Sequence, residues 1–176
     1  MDKKRVVVVG GGFAGATICK QLDSNTNFHV TLLDTKDYFE ETPAVLRAFV
    51  NPNMVRLIQT RHATYLKNGT FILGKAVEIT PTKVFYEEVK TTDTESDKMD
   101  ELTINDEVES ALLEKDPEIK TLTFDYLVIC CGSHYKSNIK HEKITSDYRA
   151  VTLVSEIRSL KMTKRIIIIG GGKKNT

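Results

Sequence analysis

The sequence contains 176 residues, of which 40% are hydrophobic and 28% charged, and its formal net charge is +1. These values are typical of a single globular domain, and they give no electrostatic reason to expect binding to nucleic acid or to an anionic membrane surface. The three cysteines, an odd number, favour reduced thiols in a cytosolic-type compartment over a disulfide framework.

The N-terminal segment carries the clearest pattern in the chain. A run of valines predicts a buried parallel strand at residues 5–10, and residues 14–23 predict a helix. In the glycine turn between them, Gly10 allows a tight turn, Gly12 lets the backbone approach a pyrophosphate, and Gly15 lets the helix pack closely on the strand. The full turn consists of Gly10, Gly11, Gly12, Phe13, Ala14 and Gly15. It is followed by a helix N-terminus, whose N–H groups attract phosphates.

A second predicted strand, residues 28–34, ends at Asp34, nineteen residues after Gly15. An acidic residue about 20 positions beyond such a turn accepts hydrogen bonds from ribose hydroxyls. Strand, turn, helix, strand and acid in this order predict a dinucleotide-binding unit; the alternative is a chance glycine cluster with a surface aspartate. A carboxylate would repel a 2′-phosphate, so Asp34 favours a ribose with a free diol.

The next segment predicts a short helix at residues 43–50 and, more weakly, helix within residues 54–66. Arg47 on the short helix has two interpretations of equal weight: a contact to a flavin or its phosphates, or an ordinary surface arginine. Residues 70–79 and 83–89 predict two strands joined at Pro81, which form a β-meander rather than a second domain.

The C-terminal half combines a charged insertion with a return to the sheet. Acidic residues dominate 91–120, which predicts a flexible surface insertion with a short helix at 107–115. Residues 122–133 predict a buried strand that ends in a small-residue turn at Gly132, with Cys130 and Cys131 as packing residues. A helix is predicted at residues 151–162.

The opening pattern recurs near the end of the sequence. Basic residues, four isoleucines and Gly170–Gly172 predict the start of a second nucleotide-binding unit. Asn175 stands where the third glycine would be, and the printed sequence ends at Thr176. We therefore expect a truncated chain, with one nucleotide-binding domain at residues 1–163 and an aborted second unit at residues 164–176.

Together these features resemble the two-dinucleotide-domain flavoproteins of the pyridine-nucleotide-disulfide-reductase-like fold. Residues 127–133 are similar to the strand that ends in Ala-Thr-Gly-Ser in that family, with cysteines in the first two places. Within the fold, three stretches are most similar to the apoptosis-inducing-factor homologues, which include the ferroptosis-suppressor type of NAD(P)H:quinone oxidoreductase. These stretches are Asp34-Thr35-Lys36-Asp37-Tyr38-Phe39, Ala44-x-Leu46-Arg47-Ala48 and Gly74-x-Ala76-x-x-Ile79.

The resemblance implies a Rossmann-like α/β FAD-binding domain with a parallel sheet and a β-meander crossover. The FAD pyrophosphate would lie against the glycine turn, Asp34 would hold the adenosine ribose, and Arg47 would contact FAD. The backbone of Ala76 would meet the adenine, and Gly132 would pass near the cofactor. Lys36, in the motif that begins at Asp34, is included among the cofactor-binding residues.

The implied activity is electron transfer from NAD(P)H through FAD to a quinone or similar small-molecule acceptor, without a catalytic triad or a metal. Because the second unit stops at its turn, we expect the 176 residues alone to be inactive or impaired; the alternative is a non-catalytic FAD-binding remnant. The meander and the second glycine run argue against a simple NAD-dependent dehydrogenase. With neither a transmembrane segment nor a myristoylation site at Asp2, we expect a cytoplasmic protein; the alternative that the resemblance implies is peripheral association with mitochondria or lipid droplets.

Overall fold

A computed structural model of the chain describes residues 2–89, 118–133 and 145–167. The strands in these ranges are β1 (Lys4–Val9), β2 (Phe28–Asp34), β3 (Tyr38–Glu40), β4 (Gln59–Arg61), β5 (Thr70–Ile79), β6 (Lys83–Glu88), β7 (Ile119–Thr123) and β8 (Tyr126–Ile129). The α-helices are α1 (Phe13–Asp23), α2 (Val45–Val50) and α3 (Ser146–Met162). Short 3-10 turns lie at Thr42–Ala44, Pro52–Met54 and His62–Thr64.

The main sheet has the strand order β7-β6-β5-β2-β1-β8. Strands β5, β2, β1 and β8 pair in parallel, whereas β6 pairs antiparallel with both β5 and β7. The valines of β1 lie in the centre of the parallel part, with strands on both sides, and Val8 is fully buried. The predicted Rossmann-like α/β fold with a β-meander crossover is therefore confirmed.

The sheet curls so strongly that its two ends approach each other. Strands β7 and β8 stand at opposite ends of the strand order, yet only Phe124 and Asp125 separate them in the chain. Three Cα steps span at most about 11 Å, so the sheet must fold back on itself. The Asp125 N–H donates to the Arg5 carbonyl at 2.9 Å, and the Asp125 carboxylate accepts from the Arg5 N–H at 2.7 Å.

This crossing corrects the prediction of one buried strand at residues 122–133. The chain leaves its partner β6 at Thr123 and joins β1 at Tyr126, so two short strands replace one. Within the described ranges β8 is an edge strand, and Ile129 is 61% exposed. An apolar run alone does not reveal a change of pairing partner, because its residues suit both strands.

The two faces of the curled sheet have separate apolar clusters. Helix α1 covers one face through Cys19, which packs with Val6, Val8, Val30, Leu32 and Leu66. The meander covers the other face, where Val84 and Tyr86 of β6 pack with Val7, Val9 and Leu33. The central strands are thus buried on both sides, as their unbroken hydrophobic runs predict.

A third cluster joins α2 to α3. Its buried members are Ala44, Val45, Ala48, Val55, Ile58, Ala150, Leu153 and Ile157. Beside it, the buried Arg149 guanidinium of α3 donates to the Glu40 carboxylate of β3 at 2.9 Å. Helix α3 starts at Ser146, five residues before the predicted start, because the Thr145 hydroxyl caps it by accepting the Tyr148 N–H at 3.3 Å.

The weak helix prediction for residues 54–66 is wrong. This segment contains the three-residue strand β4 and the 3-10 turn at His62–Thr64. Strand β4 pairs antiparallel with β3, with Arg61 opposite Tyr38 and Gln59 opposite Glu40. A pairing partner outside the segment decides its structure, so the local pattern is a poor guide.

Several predictions lie outside the described residues. They are the helix at 107–115, the glycines at 170–172 and most of the acidic insertion at 91–120, within which strand β7 already begins at Ile119. In the part of the chain that the structure describes, no helix is long and apolar enough to cross a membrane.

Candidate dinucleotide-binding site

The carboxyl ends of three parallel strands meet at one edge of the sheet. Val9, near the end of β1, stands in register with Leu33 of β2 and with Ile129 of β8. The Gly10 N–H donates to the Leu33 carbonyl at 2.8 Å, and the Cys130 N–H donates to the Val9 carbonyl at 2.7 Å. Ligands of open α/β sheets bind at this kind of edge.

In the glycine turn between β1 and α1, Gly10 and Gly15 pack closely against neighbouring backbone atoms, whereas the Cβ position of Gly12 faces open space. Gly10 has a φ of +97°, and a Cβ there would stand 2.4 Å from the Cys130 carbonyl oxygen. A Cβ on Gly15 would stand 1.8 Å from the Gly10 carbonyl oxygen, so the helix approaches the turn as closely as glycine allows. Nothing lies within 4 Å of a Cβ on Gly12, and this open side is where a pyrophosphate would fit.

The N-terminus of α1 has no anionic or capping side chain of its own. Its N-cap residue Gly12 provides no side-chain hydrogen bond, and the first turn contains no acidic residue. Phe13 and Ala14 are exposed, and the Phe13 ring packs edge-to-face on Phe39 at a centroid distance of 5.0 Å. The helix end thus retains N–H donors and a partial positive charge for an anionic ligand.

Asp34 ends β2 directly beside the glycine turn. Its Oδ2 accepts the Gly11 N–H at 2.5 Å, and its Oδ1 lies 3.3 Å from the Thr35 hydroxyl and 3.2 Å from the Lys36 N–H. Burial by itself would raise the pKa of Asp34, but the His62 ring, the Lys36 ammonium and the Gly11 N–H outweigh it and lower that pKa. The carboxylate is therefore ionised at neutral pH and acts only as an acceptor.

His62 is a site residue that the sequence did not identify. Its fully buried side chain places Nε2 3.4 Å from Asp34 Oδ2. His62 lies far from Asp34 in the sequence, in a segment without a regular pattern, and only the 3-10 turn after β4 brings the two together. No local spacing signal points to this pair.

The remaining predicted site residues come from other elements. Arg47, exposed on α2, lines a cavity of about 100 Å³ together with Glu41, Pro43 and Ala44. The residues that line this cavity follow β3 in the sequence, and Phe39 of β3 packs against Phe13 at the start of α1.

Lys36 and Ala76 flank the Asp34 end of β2. The Lys36 ammonium lies over the Tyr38 ring, 5.1 Å from its centroid. Strand β5 pairs with β2 as far as Leu73, opposite Asp34, and then continues past the sheet edge to Ala76, which stands opposite Tyr86 beside a β-bulge. Ala76 is half-buried there.

The turn after β8 also lies at this edge. Gly132 has a φ of +67° and open space around its Cβ position. The β-carbon of Cys130 lies 3.5 Å from the Cβ position of Gly15, whereas Cys131 is exposed. The structure therefore brings the glycine turn, Asp34 and the turn at Gly132 together, and β5 carries Ala76 past the Asp34 end of β2. Arg47 lies apart from them on α2, beside its own cavity.

Comparison with known proteins identifies relatives along nearly the whole chain. A family model described as "Pyridine nucleotide-disulphide oxidoreductase" matches residues 4–173. Apoptosis-inducing factor homolog B of Dictyostelium discoideum is 34% identical over 173 residues, which cover 97% of this chain and 36% of that protein. Ferroptosis suppressor protein 1 of Xenopus tropicalis is 27% identical, and the match covers 97% of this chain and 38% of that protein.

Solved structures share the fold at lower identity. The sulfide:quinone oxidoreductase of Aquifex aeolicus matches 92% of this chain with a TM-score of 0.58 and 22% identity, over 33% of its own length. NDH2 of Plasmodium falciparum, solved with RYL-552, matches 94% of this chain with a TM-score of 0.58 and 14% identity, over 31% of its own length. The chain spans little more than a third of the length of the curated relatives that it matches.

Proposed function

The chain belongs to the pyridine nucleotide-disulphide oxidoreductase family, and we propose that its N-terminal βαβ unit binds FAD as part of an FAD-dependent oxidoreductase. The observation that carries this proposal is the ionised Asp34 carboxylate, 2.5 Å from the Gly11 nitrogen, beside the uncapped N-terminus of α1. Bound FAD would supply the electron-transfer chemistry, because a flavin carries that chemistry and the protein positions it.

The pyrophosphate of FAD is proposed to lie at the start of α1. The open side of Gly12 allows the ligand to approach the backbone closely, and the uncapped helix end offers N–H donors. The absence of an acidic residue in the first turn of α1 leaves the helix dipole available to the phosphates. Phe13 and Ala14 would contribute these N–H groups.

The adenosine ribose is proposed to bind Asp34. Within the described parts of the chain, the Oδ1 atom of this carboxylate accepts two long hydrogen bonds, of 3.2 and 3.3 Å, and it retains acceptor capacity for a hydroxyl group. An ionised carboxylate at this position favours a ribose with a free diol over one with a 2′-phosphate. The adenosine ribose of FAD has such a free diol.

The other contacts are proposed from the positions of four residues. Arg47 offers an exposed cation to the flavin or its phosphates, and the Ala76 backbone lies beyond the sheet edge where the adenine would follow the ribose. Gly132 would let the backbone pass near the cofactor, and Lys36 would add a positive charge beside Asp34. The cavity at Arg47, about 100 Å³, is smaller than the ~300 Å³ of ordinary ligand pockets, so the flavin ring would be only partly enclosed by it.

NAD(P)H is the proposed electron donor, and a quinone or similar small molecule is the proposed acceptor. The family and the similarity to the apoptosis-inducing-factor homologues support this assignment. Because the chain spans little more than a third of these relatives, the complete reaction is proposed for a protein that includes this part. The 176 residues alone are proposed to bind FAD without oxidising NAD(P)H, since they correspond to little more than a third of these relatives.

The first test is flavin binding by the purified 176-residue chain. We expect a flavin absorbance spectrum and saturable quenching of FAD fluorescence. Asp34→Asn removes the charge of the proposed ribose acceptor and should weaken FAD binding by about tenfold or more, because hydrogen bonds to charged groups exceed about 1.5 kcal/mol. Arg47→Ala should weaken it by about threefold to tenfold.

Matched controls separate the site from general charge effects. Asp2→Asn and Arg158→Ala change exposed groups of the same types that are not among the proposed FAD contacts, and FAD affinity should remain unchanged. A folded chain that binds no FAD would overturn the proposed function.

The second test is turnover with NADH or NADPH and a quinone. For the FAD-loaded 176-residue chain we expect no oxidation of NADH or NADPH. Sustained turnover would contradict the non-catalytic role proposed for these residues, while leaving FAD binding intact.

A further inference from the structure

A buried histidine lies directly behind the proposed ribose acceptor. The His62 side chain is fully buried in the 3-10 turn after β4, and its backbone N–H donates to the Asp37 carbonyl at 2.9 Å. The ring packs against Phe71 at a centroid distance of 5.1 Å and edge-to-face against Tyr65 at 5.7 Å. These contacts leave the imidazole little freedom to rotate.

Both ring nitrogens of His62 face polar atoms. Nδ1 lies 2.6 Å from the Tyr65 hydroxyl, and Nε2 lies 3.4 Å from Asp34 Oδ2. Among the described residues, the buried Nε2 atom has no hydrogen-bond partner, and Asp34 Oδ2 lies within ion-pair distance of it. An ionised carboxylate only accepts, so Nε2 can bond to it only when this nitrogen carries the proton; in that neutral tautomer Nδ1 accepts from the Tyr65 hydroxyl.

The Tyr65 hydroxyl can act as the hydrogen-bond donor to Nδ1 of His62. Burial, with Cys19 and Asp34 adding to it, raises the pKa of its phenol far above neutral pH. The phenol therefore keeps its proton and can donate it to Nδ1, which leaves Nε2 as the protonated nitrogen that faces Asp34. Such an arrangement selects one tautomer of the histidine, as the outer partner of a histidine does in metal sites.

His62 also occupies the space beside the glycine turn. A Cβ on Gly11 would stand 2.4 Å from Cε1 of the ring and 2.5 Å from Asp34 Oδ2. The middle residue of the turn is therefore restricted to glycine by this ring and this carboxylate. His62, Gly11 and Asp34 form one packed unit at the sheet edge.

We propose that His62 is a positioning residue that donates from Nε2 to Asp34 Oδ2 and thereby presents Oδ1 to the hydroxyl groups of the adenosine ribose. The proposal rests on the proposed function, because it needs the ribose of FAD at Asp34. With Oδ2 held by Gly11 and His62, the orientation of the carboxylate is fixed before the ligand arrives. The site should then distinguish a ribose from a 2′-deoxyribose.

The experiment compares ADP with 2′-deoxy-ADP as competitors of FAD on the 176-residue chain. The measured quantity is the ratio of the two dissociation constants, which reports contacts to the 2′-hydroxyl alone. We expect the wild-type chain to prefer ADP by about threefold to tenfold, the range of a single hydrogen bond. His62→Leu, which fills the space without a donor, should bring this ratio close to one.

His62→Gln and Tyr65→Phe complete the series. Glutamine places an amide N–H near the position of Nε2 and should restore most of the preference for ADP. Phenylalanine removes the donor to Nδ1, so Tyr65→Phe should reduce the preference partially. If His62→Leu weakens both nucleotides equally and leaves the ratio unchanged, His62 has only a packing role and the proposal is overturned.

A spectroscopic measurement covers the case in which a variant fails to fold. Nitrogen-15 NMR of the wild-type imidazole should show a proton on Nε2 of His62, and a neutral ring protonated on Nδ1 would overturn the proposal. A wild-type chain that binds no FAD would overturn the proposed function together with this inference. A chain that binds FAD but does not discriminate between the two nucleotides would overturn this inference alone.

Discussion

At the scale of single residues, two buried aspartates hold backbone segments through main-chain N–H groups. Asp34 fixes the glycine turn through Gly11. Asp23, at the end of α1, accepts from the N–H groups of Lys67 at 2.8 Å, Asn68 at 3.1 Å and Gly69 at 2.6 Å. Asp34 serves the proposed ligand site, and Asp23 ties the loop before β5 to the first helix.

Asp23→Asn tests the second aspartate. Burial alone would raise the pKa of Asp23, but the three N–H donors and the Lys67 charge lower it below the ordinary value of 3.8. A lowered folded-state pKa stabilises the protein above the unfolded-state pKa, and this contribution is lost as the pH falls through the folded-state pKa. We expect Asp23→Asn to lower the free energy of unfolding by about 1–2 kcal/mol at pH 7.

The difference between wild type and Asp23→Asn should shrink steadily below about pH 4. Urea denaturation followed by circular dichroism across this pH range measures it, with Asp2→Asn as the exposed control. A difference that stays constant down to pH 2 would show that the Asp23 charge is not involved.

Gly11→Ala tests the packing of His62 against the glycine turn. The added Cβ would lie 2.4 Å from the His62 ring, so we expect a loss of about 1–3 kcal/mol in the free energy of unfolding. Gly12→Ala, with nothing within 4 Å of its Cβ, should cost less than about 1 kcal/mol. Both are measured by urea denaturation without FAD.

The double variant Gly11→Ala/His62→Ala provides the cross-check. With the ring removed, the added methyl group should cost less than in the wild-type background, because one of its two clashes is gone while the 2.5 Å approach to Asp34 Oδ2 remains. An unchanged cost would assign the strain to the Asp34 carboxylate instead of the ring.

At the scale of elements, local patterns predicted the parts of the fold that local interactions decide. The valine run, the glycine turn and the spacing to Asp34 predicted β1, α1 and β2 with ends correct to one residue. The structure differs from the prediction where a distant partner decides. Strand β4 exists because it pairs with β3, and β7 separates from β8 because the two strands have different neighbours.

In the candidate site too, the residues of a local motif were predicted and the residue brought in from a distant segment was not. The glycine turn and Asp34 belong to one contiguous motif and were predicted from their spacing. His62 was not predicted, because its relation to Asp34 depends on the path of the chain through α2 and β4. The cofactor roles of Lys36, Arg47, Ala76 and Gly132 remain predictions, since they depend on where a ligand lies.

Leu153→Ala tests the contact of α3 with α2. Leu153 is fully buried in the α2–α3 cluster, so its truncation should cost about 2–5 kcal/mol of unfolding free energy. Leu160→Ala, on the same helix but 37% exposed, is the matched control and should cost much less. Equal effects of the two substitutions in thermal or urea denaturation would contradict the docking of α3 through this cluster.

At the scale of the whole molecule, the proposed ligand would join elements that are separate in the chain. FAD at the sheet edge would contact the turn after β1, the end of β2 and the turn after β8, and would extend to β5 and α2. A ligand that binds only the folded chain raises the free energy of unfolding according to its concentration relative to Kd.

Saturating FAD should therefore stabilise the 176-residue chain. At a concentration of 100 times Kd the expected gain is about 2.7 kcal/mol, which scanning fluorimetry reports as an increase in Tm. The Asp34→Asn chain, at the same FAD concentration, should show a smaller increase. An unchanged Tm of the wild-type chain at high FAD would argue against binding to the folded state.

The pairing of β8 with β1 has a consequence for the order of folding. Val8 lies beside Val128, so this parallel ladder closes a loop that contains most of the described chain, whereas β1 and β2 are joined by one short helix. Closing the longer loop costs more chain entropy, and contacts of high sequence separation form slowly. We expect hydrogen exchange pulse-labelling during refolding to protect the amides of β2 before those of β8, so that the sheet edge at Gly10, Asp34 and Gly132 is completed last.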